Sequence, residues 1–145
     1  IRPHGQGWAD ARFDVPPMLG VLEALARLTR ERFGDRVHIV SRVDPGDEER
    51  SREWLEWAGV PELTGIPMER VHFCHLRAEK AVHARRLGIT HFVDDRLEVL
   101  VPMETVMHRH LFCPDPAEVQ AFASLLPGVP IHTRWDELAV ALLAE

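Results

Sequence analysis

The sequence predicts a doubly wound, Rossmann-like α/β domain, a three-layer sandwich whose mostly parallel sheet carries helices on both faces. Three observations predict it. Short β-rich apolar runs alternate with longer stretches of helical period along nearly the whole chain, and that alternation builds parallel sheets. Several apolar runs end in a hydroxyl or a carboxylate, at the strand ends where open α/β sheets hold ligands. The length of 145 residues, 46% of them hydrophobic, supports one real core and no comfortable second one. Residues 1–145 are therefore read as a single domain, without internal repeat, low-complexity tract or linker.

Residues 1–14 carry Gly, His and Trp without a clean period and read as loop. Pro16-Pro17 starts a helix, because proline at the first turn forfeits no hydrogen bond. Met18, Leu22, Leu25 and Leu28 line its apolar face, Val21 and Ala26 widen it, and Gly34 stops it. Residues 36–41 form a strand that ends on Ser41. Asp44-Pro45 reads as cap and first turn of a second helix, with Trp54, Leu55 and Ala58 inward and Gly59 at its end. A turn-rich stretch, residues 61–69, leads to a strand at 71–74. Residues 77–87 are helical, with Ala78, Ala81 and Val82 inward, and Gly88 terminates them.

The next strand is His91-Phe92-Val93-Asp94-Asp95-Arg96, an apolar run that ends in two adjacent carboxylates. Side by side such groups repel and lose solvation unless a cation sits on them or water reaches them freely. Mg2+ suits the pair, since it takes oxygen ligands from one or two carboxylates and keeps waters for a phosphate to replace. The plainer reading makes Asp95 the cap of a short helix, residues 97–101. Residues 106–113 form a further strand, and Asp115-Pro116 opens a helix with Val119, Phe122, Ala123 and Leu126 at i, i+3, i+4 and i+7. A short strand at 130–132 precedes a capping-box pattern, Thr133 with Asp136, and a helix burying Trp135, Leu138, Ala139, Leu142 and Leu143.

Composition narrows the function classes. A net charge of −6 argues against a broad surface for duplex nucleic acid, which needs clustered Lys and Arg. No apolar run approaches the roughly 20 residues of a membrane span, and no charged-then-apolar leader opens the sequence. A soluble, cytoplasmic protein is expected. Cys74 and Cys113 both close strand-like runs, where a thiol behaves as a small hydrophobe, and no disulfide is expected. Lys80 is the single lysine among 17 basic residues, which reads either as a place that needs a compact ammonium rather than Arg's planar fork or as a chance survivor of a composition biased toward Arg.

Ser41, Lys80 and the Asp94-Asp95 pair all fall at strand ends or just beyond. A hydroxyl for phosphate oxygens, a lysine to offset charge and a carboxylate pair for Mg2+ together make a phosphoryl-transfer site. In order, Val40-Ser41, Lys80 within Arg77-Ala78-Glu79-Lys80-Ala81, and Phe92-Val93-Asp94-Asp95-Arg96 resemble motifs II, III and IV of the haloacid dehalogenase superfamily of phosphotransferases. Two-component receiver domains combine similar residues, but there the acidic pair comes first in sequence. The short first loop and the Asp-Asp-Arg end look like small-cap members, the deoxyribonucleotidases and polynucleotide 3'-phosphatases.

That resemblance implies a sandwich of the superfamily's type with a minimal cap, and a Mg2+-dependent phosphatase acting on a small phosphate monoester, a nucleotide among the candidates. By the likeness Ser41 holds the transferring phosphoryl group with Arg42, Lys80 bridges nucleophile and phosphate, and Asp94 with Asp95 binds Mg2+. Arg96 is expected to fix the aspartate loop. Motif I, an apolar strand ending in Asp-x-Asp-Gly, has no match here, and Asp10 and Asp14 lack the preceding strand. In the superfamily that strand lies centrally, between the strands ending at Ser41 and Asp94. The nucleophilic aspartate is therefore expected upstream of Ile1, and catalysis through an aspartyl-phosphate is conditional on it.

The alternative is a catalytically inactive domain of the same fold that binds a ligand or partner. Zinc is a weaker reading of His72 with His75 and His108 with His110, whose neighbourhood in sequence offers no matching Cys or carboxylate set. Trp8 is a candidate for stacking on a nucleobase, or a loop anchor. Substrate identity and oligomeric state are not encoded in any of these patterns.

Overall fold

The computed structural model describes residues 1–3 and 15–145. Trp8, Asp10 and Asp14 lie outside the described residues. The architecture is α/β with parallel pairing throughout, in two small sheets. One sheet pairs β1 (Ile39–Arg42) with β2 (Val71–Cys74), in register Ile39 to Val71 and Arg42 to Cys74. The other has the order β3 (His91–Asp94), β4 (His108–Phe112), β5 (Ile131–His132), with His91 opposite His108 and Phe112 opposite His132.

The pleat of β3 and β4 sends alternate residues to opposite faces. Phe92 and Leu111 face one core with Leu97, Leu100, Met103 and Val106, and Val40 of β1 packs against the same core. Val93 and Phe112 face another, built with Ala24 and Leu28 of α1 (Val21–Leu28) and Leu138, Ala139 and Leu142 of the carboxyl-terminal helix, Trp135–Ala144. Helices thus cover both faces of the β3–β4 pair. Ile39 of β1 packs with Trp54, Leu55, Val60 and Val71 on the side of α2 (Glu48–Trp57) and α3 (Val60–Thr64).

Several elements differ from the sequence reading. The first helix begins at Val21, after Gly20 in the left-handed region at φ 81°, and its α-helical part ends at Leu28. A wide π turn, Thr29–Phe33, follows. Thr29 Oγ1 there lies 2.7 Å from the Thr64 carbonyl and 2.9 Å from that of Ala26, so a contact 35 residues away shapes the turn. The second helix starts at Glu48. Asp44 does not cap it, because its carboxylate pairs with Arg42 at 2.9 Å.

In α4 (Glu79–Arg86) Ala84 is the buried residue, while Val82 is 66% exposed and Ala78 is exposed. Asp95 does not cap α5 (Leu97–Leu100). Glu118 of α6 (Pro116–Phe122) does so from across the fold, accepting the Leu97 and Glu98 amides at 2.9 and 2.8 Å. Asp115 caps α6 through the Ala117 amide, as its position before Pro116 predicts, but Ala123 lies beyond the helix and is exposed. The capping box before α7 (Trp135–Ala144) does not form, because Arg134 holds Asp136 in a two-pronged contact at 3.0 and 2.6 Å. Both cysteines are free, Cys74 buried as expected and Cys113 exposed. Among the described residues no helix is long and apolar enough to cross a membrane.

Candidate functional site

All strands within each sheet run parallel, so Ser41 and Asp94 both stand at carboxyl ends, and α4 delivers Lys80 to Asp94. Lys80 Nζ donates to Asp94 Oδ2 at 2.7 Å, with the two side chains 13% and 4% exposed. The Arg96 amide donates to the other oxygen, Asp94 Oδ1, at 3.1 Å. Burial pushes the Asp94 carboxyl above the usual carboxylate range; the Lys80 ammonium works against that rise and the neighbouring Asp95 adds to it. The Lys80 ammonium thus sits against Asp94, with Asp95 next to it in the chain.

Arg96 turns away from this pair. Its Nε and an outer nitrogen each lie 2.8 Å from Glu98 Oε1, and Arg77 approaches the same oxygen at 3.8 Å. The guanidinium therefore ties the loop after β3 to Glu98. Arg42 is also tethered, to Asp44 at 2.9 Å and to the His75 carbonyl at 3.3 Å.

A cavity of about 1270 Å3 joins these residues, with Ser41, Arg42, Lys80, Asp94 and Asp95 all in its lining. Every residue of β1 and every residue of β3 lines it. Among the described residues β1 pairs only with β2, and β3 only with β4. Each of the two strands therefore turns an unpaired edge to this space. A five-residue strand, about 17 Å long with about 4.8 Å to each neighbour and 10 Å between layers, fills roughly 800 Å3. The cavity has room for one strand and a small ligand at its end.

Ile1 lines the same cavity with Arg2 and Pro3. Its carbonyl accepts from the Met18 amide at 2.8 Å.

Of the residues singled out in the sequence, Ser41, Arg42, Lys80, Asp94 and Asp95 all line this cavity, and Lys80 and Asp94 are in direct contact. The sequence reading missed Glu118 and Glu98, which organise the loop after Asp95, since neither lies in a recognisable motif. The histidine pairs part company. His72 Nε2 lies 3.1 Å from His38 Nδ1, while His75 Nδ1 meets the Val43 carbonyl at 3.1 Å. His108 and His110 do have a carboxylate beside them, Glu145, which their local sequence does not announce. Compared with known proteins, the chain matches no family model, no curated protein and no solved structure.

Proposed function

We propose that this chain is a domain of the haloacid dehalogenase type, doubly wound with a minimal cap, and that it hydrolyses a small phosphate monoester with Mg2+. The observation that carries the reading is the buried Lys80–Asp94 pair in the lining of a cavity that every residue of β1 and of β3 also lines, the two strands being unpaired with each other among the described residues. In this reading a strand supplied by polypeptide upstream of Ile1 fills the cavity, parallel to both neighbours. Its last residues then reach the Ser41, Lys80 and Asp94 end.

The donor set suits the ion. Two adjacent carboxylates, one of them with its pKa raised by burial, offer hard oxygen ligands. Asp94 and Asp95 would hold Mg2+, which when bound neutralises phosphate charge and so lowers the barrier to attack. Ser41 and Arg42 hold phosphoryl oxygens, and Lys80 stands between nucleophile and phosphate. An aspartate on the inserted strand attacks phosphorus. The ester P–O bond breaks, and the leaving alkoxide takes a proton from a neighbouring acid. Water then attacks the phosphorus of the aspartyl-phosphate, releasing inorganic phosphate and restoring the carboxylate. A nucleotide fits the substrate class; duplex nucleic acid does not, given the net charge of −6.

One observation favours a second reading, a non-catalytic domain that binds a ligand or partner. Lys80 closes directly on Asp94, occupying the oxygen a cation would take. Phosphate release from p-nitrophenyl phosphate by the complete gene product separates the two. The phosphatase reading expects Mg2+-dependent turnover that falls about 100-fold or more in Asp94→Asn and in Lys80→Ala. Turnover that survives Asp94→Asn unchanged removes the site assignment, and an inert, folded complete protein favours the binding domain.

A further inference from the structure

The opposite end of the second sheet carries chemistry that the phosphate site does not use. His91 begins β3 and His108 begins β4, and the register sets them directly opposite one another. Their rings stack with centroids 4.4 Å apart. His110 lies two residues along β4 and so projects from the same face. The end of α7 crosses that face and brings Glu145 to all three: Oε2 is 2.9 Å from His108 Nδ1, while Oε1 is 2.8 Å from His110 Nε2 and 3.9 Å from His91 Nε2.

We infer that His91, His108 and Glu145 form a binding site for a divalent transition metal of the Zn2+ type, with His110 positioning the carboxylate. One donor atom from each of the three lies within 4.8 Å of the others. Ligand atoms at about 2.0–2.1 Å from a tetrahedral Zn2+ stand roughly 3.3 Å apart. Glu145 already stands 2.9 Å from His108 Nδ1 through Oε2 and 3.9 Å from His91 Nε2 through Oε1, and an ion would draw one donor from each residue from within 4.8 Å toward that spacing.

A second observation points the same way. His91 Nε2 is buried without a hydrogen-bond partner, in a side chain only 12% exposed. Its other nitrogen, Nδ1, is engaged by Thr90 Oγ1 at 2.8 Å, which orients the ring and leaves Nε2 aimed toward Glu145. A buried, unpartnered imidazole nitrogen costs stability unless something occupies its lone pair or its proton. His110 in turn is fixed by His132, Nδ1 to Nε2 at 3.0 Å, so Glu145 is held by a chain of two imidazoles. That arrangement is the carboxylate-and-histidine support that tunes metal ligands.

Two imidazoles and a carboxylate favour Zn2+, Ni2+ or Cu2+ over Mg2+, which prefers all-oxygen sites. The site is therefore chemically distinct from Asp94 and Asp95, and it stands three residues down β3 from Asp94, about 10 Å along the strand. The bound ion would tie the end of α7 to the first residues of β3 and β4.

The test uses untagged protein, equilibrated with Zn2+ in a weak chelator buffer and assayed for metal content, together with the visible spectrum of the Co2+ form. About one Zn2+ per chain is expected, with intense d–d absorption of low-coordinate Co2+. His108→Ala and Glu145→Gln should each weaken Zn2+ binding at least about tenfold, and Asp94→Asn should leave it unchanged. Far-ultraviolet circular dichroism establishes that each variant is folded. Wild-type protein that retains no Zn2+, or gives only the weak spectrum of hexaaqua Co2+, overturns the assignment without recourse to any variant. Equal Zn2+ affinity in folded His108→Ala and wild-type protein overturns it too.

Discussion

Replacing Lys80 with methionine isolates the ion pair at the centre of the candidate phosphate site. The substitution keeps most of the aliphatic stem and removes the ammonium 2.7 Å from Asp94 Oδ2. Asp94 is then left 4% exposed in its side chain, with one amide hydrogen bond from Arg96 and the charge of Asp95 beside it. Breaking a buried pair by removing one partner costs about 3–5 kcal/mol. The lower end applies here, because the cavity gives water a path to the orphaned carboxylate. A loss of about 3 kcal/mol corresponds to a fall in Tm of roughly 6–12 °C for a domain of this size. Thermal and urea unfolding in Mg2+-free buffer with chelator measure it. The double variant Lys80→Met with Asp94→Asn should recover most of the loss, since no buried charge then remains unpaired. The reasoning is refuted if Lys80→Met costs under about 1 kcal/mol, the level of an exposed pair, or if the double variant is no more stable than the single one.

Glu118→Ala should cost about 2 kcal/mol, because it strands the Leu97 and Glu98 amides at the start of α5, and urea unfolding of Glu118→Gln should show a smaller loss. Acidification should destabilise the protein. Burial depresses the pKa of His38 and of His72, so below about 6.5 the unfolded chain binds more protons than the folded one. Stability contributed by these neutral imidazoles is whole above that pH and is lost as pH falls toward the folded-state values. His91 and His132 are depressed in the same sense. Urea midpoints between about pH 7.5 and 5.5 should fall, and His72→Gln should flatten the slope. Hydrogen exchange should rank the strands: the amides of Leu111 and Phe112 in β4, paired on both sides, should outlast those of β1 and β3, each paired on one side among the described residues.

What the sequence revealed follows the range of the interactions concerned. β2 was legible to the residue and β3 from its first residue, because each is a short apolar run bounded by turn signals. Asp115 before Pro116 was legible as a cap because capping is settled within three residues. Asp44 and the Thr133–Asp136 box carried the same local signal, yet neighbouring arginines, Arg42 and Arg134, took their carboxylates. The wide turn at Thr29 depends on Thr64, the start of α5 on Glu118, and the imidazole cluster on Glu145, 54 positions from His91. None of these leaves a periodic trace. Lys80 and Asp94 were legible as members of one site because each sits at a point fixed by topology, the start of a helix and the end of a strand, where a parallel layout must bring them together.

The division of the strands into two ladders also bears on how the molecule comes apart. A continuous sheet transmits an opening from strand to strand through its hydrogen bonds; here that relay is interrupted between β1 and β3. Val40 against the β3–β4 core, the Lys80–Asp94 contact, and α1, whose Val21 and Leu25 pack with Ile39 of β1 while Ala24 and Leu28 pack with Phe112 of β4, span the break by side-chain packing. A strand seated in the cavity would splice the two ladders into one, adding a backbone relay to the side-chain packing that already joins them.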